Sequence, residues 1–415
     1  MSVGTNWAGN YTYGAAELRH PQSTSEVQTL VSRGTPLRAL GSRHSFNPIA
    51  DTTGDLVSLD RFEPNIVIDE TARTVSFAAG LRYGDLASEL QARGWALHNL
   101  ASLPHISVAG AVATATHGSG DRNGNLATAV SAFEIVDGTG EVVTLRRGDA
   151  DFAGAVVGLG ALGIVTRLTL DVEPTFDVRQ DVFTGLRWDE FLGNIDAITS
   201  SAYSVSVFTN WLGDSIGAVW LKSRMDAPTP PVDLFGAVRE VTNLHPLPDM
   251  PAGNTTPQGG VPGPWSERLA HFVLGFTPSN GDELQSEFLV PRHNIAAALA
   301  SLREMGDQIA PLLHITELRT MAADDLWLSG ASGTDAVGIH FTWKKLPTEV
   351  LALLPEIERR LLPLNARPHW GKVFTADGAQ LEALYPRLPD FRDLVRKYDP
   401  QGLFRNEFLH HRLGL

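Results

Sequence analysis

Glycines at positions 158, 160 and 163 form the pattern G-x-G-x-x-G directly before an apolar run over residues 164–170. A Rossmann fold that binds a dinucleotide needs a strand before such glycines and a helix after them. Here the run after the glycines (IVTRLTL) is rich in β-branched residues and predicts a strand. The order therefore argues against an NAD-type Rossmann fold and indicates a close turn of the backbone.

Length, composition and charge narrow the class of protein. The chain has 415 residues, more than one hydrophobic core usually holds, so we expect two domains. Its hydrophobic content of 43% and charged content of 19% are typical of a soluble globular protein. The formal net charge of −14 argues against nucleic acid and anionic membranes as partners.

The sequence shows neither a signal peptide nor a membrane span. The N-terminus lacks a basic start followed by an apolar core. The longest nearly apolar run, residues 152–165, is rich in glycine and shorter than the about 20 residues that a bilayer requires. We therefore expect a cytoplasmic protein, and we expect it to be a monomer.

Two residue types exclude whole classes of chemistry. There is no cysteine, which excludes disulfides, thiolate nucleophiles, cysteine-ligated metals and a cysteine-linked cofactor. A P-loop needs a lysine just after its glycines. The first half of the chain has no lysine, since the lysines are Lys222, Lys344, Lys345, Lys372 and Lys397.

Hydrophobic periodicity and turn residues predict alternating strands and helices in the first part of the chain. A capping box from Ser23 to Glu26 starts a helix that should end near Gly34. Further helices are predicted over residues 83–93, 292–305 and 348–361. Strands are predicted over residues 36–40, 65–69, 74–78, 133–136, 141–145, 164–170, 204–211 and 218–222. The proline- and glycine-rich residues 228–264 are predicted to form a long excursion over the surface.

Two segments of small residues could hold a ligand. Residues 41–46 (GSRHSF) place His44 in a loop where it could act as ligand, base or nucleophile, or simply lie on the surface. Residues 107–120 (SVAGAVATATHGSG) could hold a pyrophosphate with backbone N–H groups and hydroxyls, without any lysine. Tight packing of a helix on a sheet would select the same small residues.

The second half carries polar residues at the spacing of a strand. Residues at i and i+2 share one face of a strand, so Glu317 pairs with Arg319 and His340 pairs with Thr342. Lys372 lies in a similar apolar, strand-like context. Such a mixture of charged and polar groups can bind a ligand with many hydroxyl groups. The alternative interpretation is that these residues form a strand face that is exposed to water.

Taken together, these segments resemble a known family. The matching segments are GSRHSF, ASLPHISVAGAVATATHGSG, GLGALGIVT, TNWAGN, HFTW and RPHWGKVF. They are similar to the alditol oxidase (xylitol and sorbitol oxidase) branch of the vanillyl-alcohol oxidase flavoprotein family, over essentially the whole chain. The resemblance implies oxidation of a terminal hydroxyl of a polyol to the aldose by hydride transfer to FAD, with O2 reduced to H2O2. The glycine-rich turn at residues 158–163 would then lie near the adenine half of the FAD.

The resemblance also implies a fold and its division into domains. The expected class is α+β, the two-domain vanillyl-alcohol oxidase (PCMH-type FAD-binding) fold with a mixed-sheet substrate domain. Residues 1–180 are expected to form the FAD-binding domain, which residues 369–415 complete. Residues 181–368 are expected to form the substrate-binding domain.

By the same resemblance, His44 is joined covalently to the FAD. Arg43 stands where the family usually has glycine, so either the loop is relaxed or Arg43 bears backbone strain, and its charge could lie near the pyrophosphate. The cofactor-binding residues implied are Gly41, Ser42, Arg43, His44, Ser45, Ser102, Ser107, Gly110, Thr114, Thr116, His117, Gly118, Val165 and His369.

The implied substrate-binding residues are Ser102, Glu317, Arg319, Thr342 and Lys372, and the implied catalytic residues are His340 and Lys372. At neutral pH, His340 is the better general base. Lys372 is better suited to stabilising the developing alkoxide or the reduced flavin. The sequence leaves open which of the two takes the proton.

Three alternatives remain at this point. His98, His105 and His117 could belong to a metal-dependent hydrolase, although their spacing fits no compact ligand motif and we expect no metal site. The chain could also be a non-catalytic sugar-binding protein of the same fold that has retained the polar strands. Within the flavoenzyme interpretation, oxidation of an aldonolactone is the alternative reaction.

Overall fold

The computed structural model describes residues 3–228, 231–247, 250–275 and 281–415. The α-helices are α1 (Thr24–Val31), α2 (Tyr83–Ala92), α3 (Val108–Ala113), α4 (Phe152–Ala155), α5 (Trp188–Gly193), α6 (Ile195–Thr199), α7 (Ile295–Arg303), α8 (Gly306–Ile309), α9 (Pro347–Leu361), α10 (Gly378–Leu384), α11 (Leu388–Tyr398) and α12 (Glu407–Leu413). In the described part of the chain, no helix is long and apolar enough to cross a membrane.

The strands in the N-terminal part are β1 (Glu17–Arg19), β2 (Leu37–Ala39), β3 (Asp55–Val57), β4 (Val67–Asp69), β5 (Thr74–Ala78), β6 (Trp95–Ala96), β7 (Val130–Val136), β8 (Val142–Arg146), β9 (Ile164–Asp171) and β10 (Glu173–Pro174). Those that follow are β11 (Asp177–Thr184), β12 (Ser204–Thr209), β13 (Ala218–Arg224), β14 (Val238–Arg239), β15 (Gly263–Pro264), β16 (Glu283–Pro291), β17 (Leu313–Met321), β18 (Ala336–Lys344) and β19 (Arg367–Pro368).

The N-terminal part contains two main sheets. A parallel sheet has the order β1-β3-β2, and an antiparallel sheet has the order β4-β5-β9-β7-β8. Strand β9 alternates buried and half-buried residues, as expected for a strand with one face in the core. It begins directly after Gly163, where φ is +150° and a Cβ would overlap the carbonyl oxygen of Val136. The glycines thus follow helix α4 and precede a strand, which confirms that they do not open a Rossmann unit.

The large sheet has the order β14-β11-β13-β12-β17-β18-β16-β19, with β15 paired to β11. Its central strands are antiparallel, and Phe208, Glu317, His340 and Glu287 lie directly opposite one another on β12, β17, β18 and β16. Residues that pair directly in this way point to the same face of the sheet. The register therefore brings three polar residues, Glu317, His340 and Glu287, from three segments of the sequence into one row.

The other face of this sheet is the core of the second half of the molecule. Leu318 and Phe341 lie in one buried cluster with Leu299 of α7 and Leu354 of α9. The alternation predicted for β17 and β18 is confirmed, since the residues between the polar positions are buried in apolar packing. Burying this face against helices leaves the opposite face free to carry the polar row.

The C-terminal helices pack with the N-terminal sheets. Leu381, Phe391 and Leu409 share a buried cluster with Phe77 of β5. The predicted domain limit after residue 180 falls inside strand β11. The domain limits after residues 180 and 368 stay a prediction.

The predicted helices and strands are confirmed to within a few residues, with three corrections. The Ser23 hydroxyl accepts from Glu26 N (3.3 Å), but the Glu26 carboxylate accepts from Gln22 N (3.0 Å) and not from Ser23, so the capping box is incomplete. The predicted helix over 292–305 begins with a 3-10 turn (Arg292–Asn294).

The third correction concerns the proline- and glycine-rich residues 228–264, whose described part does not simply cross the surface. Asn254, Thr256 and Gln258 are buried, and residues 245–247 line the main cavity. Thr256 donates to Ala270 O at 2.9 Å, so a hydrogen bond to the chain that follows the segment allows this polar group to be buried. Composition alone predicts turns but does not show what the turns pack against.

Candidate functional site

A cavity of about 530 Å³ runs between the N-terminal sheets and the polar face of the large sheet. It is lined by residues 41–46, by helix α3, by the glycine-rich turn before β9 and by the polar residues of β16, β17 and β18. Every predicted cofactor-binding and substrate-binding residue lines this cavity except Gly118. At Gly118, a Cβ would overlap Asn99 Oδ1, so close packing explains the glycine there.

The two segments of small residues contact each other. Ser107 N donates to Ser42 Oγ at 2.9 Å, and a Cβ at Gly41 would overlap Ser107 Oγ. These contacts join the GSRHSF loop to the start of helix α3. Small residues are therefore required here both for packing and for access to the cavity.

Arg43 adopts the left-handed backbone conformation that the family's glycine would favour, with φ of +63°. Its guanidinium donates to Val3 O at 3.0 Å and Thr5 O at 3.3 Å, and it lies over the ring of Tyr13 at 5.6 Å. Of the two alternatives for this position, the structure shows backbone strain and not a relaxed loop. The positively charged guanidinium of Arg43 is therefore hydrogen-bonded to carbonyl oxygens of the N-terminal residues.

His44 is held in a defined orientation. Its Nδ1 lies 3.0 Å from Ser42 Oγ, and its ring stacks on Trp7 with the centroids 5.3 Å apart. Burial lowers the pKa of His44 to about 4. The imidazole is therefore neutral at pH 7, which is the nucleophilic form.

The cavity wall at this end fits a long anionic ligand such as FAD. Within the described residues, the main-chain N–H groups of Arg43, His44 and Ser45 donate to no protein acceptor. Free N–H groups in a loop of small residues can bind a phosphate group without a lysine. Arg38 holds the glycine-rich turn in place by donating to the carbonyl oxygens of Leu159 (2.8 Å) and Gly160 (2.9 Å).

At the other end, Glu287 is the centre of the polar row. Its side chain is 1% exposed and accepts from Lys372 Nζ at 2.6 Å and from His117 Nε2 at 2.9 Å. Burial alone would raise the pKa of the Glu287 carboxyl, but Lys372 and His117 hold it well below its usual range. Glu287 is therefore an ionised, buried carboxylate that orients both partners.

Glu317 is the second buried carboxylate of the row. Its Oε1 lies 2.7 Å from His271 Nε2 and 3.4 Å from Arg319 Nε, and its Oε2 lies 3.9 Å from His340 Nδ1. Burial opposes ionisation, but Arg319 and His271 hold the pKa of Glu317 well below its usual range. Arg319 in turn donates to Ser102 Oγ at 3.1 Å, which links the strand to the loop before helix α3.

His340 and Arg319 keep hydrogen-bonding atoms free at the cavity. Both residues are buried, and neither His340 Nε2 nor Arg319 Nε makes a hydrogen bond to another described residue, although Arg319 Nε lies 3.4 Å from Glu317 Oε1. Burial, and then the charge of Lys372, holds the pKa of His340 well below its usual range. Burial also lowers the pKa of Lys372, although Glu287 opposes this. A neutral imidazole beside an ammonium group can accept a proton from a bound hydroxyl group.

The structure brings Ser102, Glu317, Arg319, His340, Thr342 and Lys372 together at one end of the cavity. The predicted strand context of Lys372 is wrong, because Lys372 lies in a turn after β19. Asn47 holds this turn by donating to Lys372 O at 2.7 Å. Sequence reasoning missed Glu287, His271 and Lys222. Glu287 stands directly opposite His340, so the polar alternation of β16 would have been the signal for it.

The histidines proposed for a metal site have separate partners. His98 contacts Gly124 O, His105 contacts Leu274 O, and His117 contacts Glu287. In the described ranges, no group of three or more His, Asp or Glu residues could hold a metal ion. The metal-dependent hydrolase gains no support.

Comparison with known proteins identifies the family. A family model described as an FAD binding domain matches residues 15–146, and one described as D-arabinono-1,4-lactone oxidase matches residues 280–412. The alditol oxidase of Streptomyces sp. (strain IKD472 / FERM P-14339) is 48% identical over 408 residues, which are 98% of this chain and 97% of that protein. The chain belongs to the alditol oxidase branch of the vanillyl-alcohol oxidase flavoprotein family. It is an FAD-dependent oxidoreductase.

Two further similar proteins are more distant. The L-gulono-1,4-lactone dehydrogenase of Mycobacterium tuberculosis (strain ATCC 25618 / H37Rv) is 26% identical, over 99% of both chains. The crystal structure of cholesterol oxidase from B. sterolicum superposes with a TM-score of 0.81 at 16% identity, over 99% of this chain and 96% of that one. This similarity confirms the predicted fold class.

Proposed function

We propose that the protein oxidises a terminal hydroxyl group of a polyol such as xylitol or sorbitol to the aldose, with O2 reduced to H2O2. The observation that carries this proposal is the buried polar row of β16, β17 and β18 at the end of the FAD-binding cavity. Carboxylate, guanidinium, ammonium, imidazole and hydroxyl groups meet there, and together they offer donors and acceptors to several hydroxyl groups at once. The 48% identity to an alditol oxidase supports the same substrate class.

The chemistry that bound FAD supplies is acceptance of a hydride equivalent from the carbinol carbon, followed by transfer of the electrons to O2. The residues of the chain bind and orient the alcohol and move its proton. His340, neutral and with a free Nε2, accepts the proton of the reacting hydroxyl group. Lys372, fixed by Glu287 at 2.6 Å, stabilises the negative charge that develops on that oxygen.

We infer that residues 1–180 and 369–415 form the FAD-binding domain and residues 181–368 the substrate-binding domain. The match of the FAD binding domain model lies within the first of these ranges, at residues 15–146, and the match of the lactone oxidase model, at residues 280–412, spans the proposed limit at residue 368. A cytoplasmic, monomeric enzyme is part of the same proposal.

Covalent attachment of the FAD through His44 is also proposed. The support is the neutral imidazole, oriented by Ser42 and Trp7 in the wall of the cavity. His44→Ala should leave the flavin removable by acid or denaturant, whereas the wild-type flavin should migrate with the denatured chain on a gel. Flavin that still migrates with the denatured variant would exclude His44 as the attachment point.

The alternative reaction is oxidation of an aldonolactone, which the lactone oxidase model over residues 280–412 favours. A peroxide assay with purified enzyme on xylitol, sorbitol, L-gulono-1,4-lactone and D-arabinono-1,4-lactone separates the two. We expect kcat/KM to be highest for the alditols. A higher kcat/KM for either lactone would replace the proposed substrate class by aldonolactones.

A further inference from the structure

Lys222 of β13 is a buried lysine whose ammonium group contacts three acceptors. The residue is 1% exposed, and its Nζ donates to Leu269 O at 2.6 Å and to Ala270 O at 2.8 Å. The third contact is His271 Nδ1 at 3.1 Å. Burial lowers the pKa of Lys222 well below its usual range, although the charge of Glu317 opposes this. In the charged form all three N–H donors have a partner, since two point at carbonyl oxygens and the third points at the imidazole.

The contact with Glu317 determines which nitrogen of His271 carries the proton. The Glu317 carboxylate only accepts, and its Oε1 lies 2.7 Å from Nε2, so the hydrogen of the neutral imidazole is on Nε2 and Nδ1 accepts from Lys222. Burial lowers the pKa of His271 to about 4, in agreement with a neutral ring. The three side chains thus form a chain of hydrogen bonds that all run in one direction, from Lys222 to Glu317.

The segment held by Lys222 also contacts the opposite side of the polar row. His271 N donates to Ser102 O at 3.2 Å, and the Ser102 hydroxyl accepts from Arg319 at 3.1 Å. Residues 269–271 therefore touch both Glu317 and Ser102, two of the predicted substrate-binding residues. An anchor on this segment acts on the position of both.

We propose that Lys222 and His271 are positioning residues that fix the Glu317 carboxylate for substrate binding. His271 occupies Oε1 of Glu317 and leaves Oε2, 3.9 Å from His340 Nδ1, for a substrate hydroxyl group. A polyol whose reacting hydroxyl group contacts His340 then presents its neighbouring hydroxyl group to this oxygen. This last step rests on the proposed function, whereas the hydrogen-bond chain does not.

The first test is the tautomer of His271, which requires no substrate. NMR of protein labelled with 15N-histidine reports the protonation of each ring nitrogen, and His271→Gln assigns the signal among the 13 histidines by removing it. At pH 7 we expect an unprotonated Nδ1 and a protonated Nε2, and a changed signal in Lys222→Met. A proton on Nδ1 in the wild-type protein would overturn the proposal, whatever the substrate is.

The second test is a double-mutant cycle on kcat/KM for xylitol. Loss of a hydrogen bond to a charged group should make His271→Phe about 10- to 100-fold less efficient than wild type. In the Glu317→Ala background the same change should have an effect of less than about threefold, since its target is absent. An equal loss in both backgrounds would mean that His271 does not act through Glu317 and would overturn the proposal.

Two further variants separate positioning from structure. His271→Gln keeps a donor and an acceptor and should recover much of the loss of His271→Phe. His98→Phe removes a half-buried histidine that does not line the cavity and should leave the ratio of kcat/KM for xylitol to that for 1,2-propanediol unchanged. If wild-type enzyme oxidises no alditol at all, the proposed function fails, while the NMR result still decides the hydrogen-bond chain.

Discussion

At the scale of single residues, the site depends on a few side chains whose conformation or charge is unfavourable in isolation. Arg43 occupies a left-handed backbone conformation, and His340 and Lys372 are ionisable groups held away from water. Surrounding contacts keep each of them in place: carbonyl oxygens hold the guanidinium of Arg43, and Glu287 holds Lys372. Features of this kind concentrate at functional sites.

Arg43 gives a prediction about backbone strain. Arg43→Gly and Arg43→Ala both remove the guanidinium, but only glycine relieves the strain at a φ of +63°. We expect the glycine variant to be more stable than the alanine variant by about 1 kcal/mol. Urea unfolding of both variants measures the difference in free energy.

Ser32, the C-cap of helix α1, provides the control because its φ is −62°. At this position Ser32→Ala should be more stable than Ser32→Gly, since glycine gains more conformational entropy on unfolding. Equal or greater stability for Arg43→Ala than for Arg43→Gly would show that the loop is not strained.

At the scale of secondary structure elements, the central fact is the register of β12, β17, β18 and β16. It aligns Glu317, His340 and Glu287 on one face, and Leu318 and Phe341 pack on the other. Strand β17 therefore provides both a core contact on one face and polar side chains that line the cavity on the other. A change on the polar face should affect substrate selection more than it affects folding.

Glu317→Ala tests this expectation on substrates of different length. Removing the carboxylate leaves His271 and Arg319 without their acceptor, which costs roughly 1–3 kcal/mol or more for charged groups. Xylitol and sorbitol are long enough to reach Glu317 and should lose much more kcat/KM than 1,2-propanediol. Part of the loss should appear in kcat, because the same contact positions the carbinol carbon.

Asp181→Ala is the matched control for this substitution. Asp181 is a buried carboxylate of the same sheet, paired with Arg179 at 2.8 Å, and it does not line the cavity. Its loss should lower stability and affect all three substrates alike. If Glu317→Ala also affects all three alike, Glu317 is a structural ion-pair partner and not a substrate contact.

The sequence predicts a large part of these elements and of the site, for identifiable reasons. The period-2 alternation of Glu317-Leu318-Arg319 and His340-Phe341-Thr342 determines which residues face the cavity. Lys222 and His271 could not be found in this way, because they meet Glu317 only through pairing of distant strands and folding back of a long segment. Lys372 was assigned the correct neighbourhood but the wrong element.

At the scale of the whole molecule, one cavity lies between the N-terminal sheets and the large sheet, whose residues are far apart in the sequence. Its N-terminal wall contains His44, and its other wall contains His271 and His369, which are buried. Enclosing these histidines makes the stability of the protein depend on pH.

Acid should therefore destabilise the protein below neutral pH. Burial lowers the pKa of His271 to about 4, and burial with the charge of Lys372 lowers that of His369 to about 3, both from 6.5. Between pH 6.5 and 4 the unfolded chain binds protons that the folded chain does not. The free energy of unfolding should then fall by about 1.4 kcal/mol per pH unit for each histidine.

Thermal unfolding at pH 7, 6 and 5 measures this dependence. We expect Tm to fall across the series and to fall less steeply in His271→Gln, which lacks one of the buried histidines whose pKa is lowered. A Tm that is constant from pH 7 to 5 would show that these histidines bind protons in the folded protein as readily as in the unfolded chain.

The most direct test of the central claim is anaerobic mixing of the flavin-loaded enzyme with xylitol, followed by the flavin absorbance. We predict that xylitol bleaches the flavin of the wild-type enzyme. His340→Ala should react roughly 10²–10⁴-fold more slowly, with an unchanged flavin spectrum before mixing. Lys372→Met should also be slow, whereas Lys345→Met, a change of an exposed lysine, should match wild type. Failure of xylitol to bleach the wild-type flavin, or normal rates in both His340→Ala and Lys372→Met, would contradict the account.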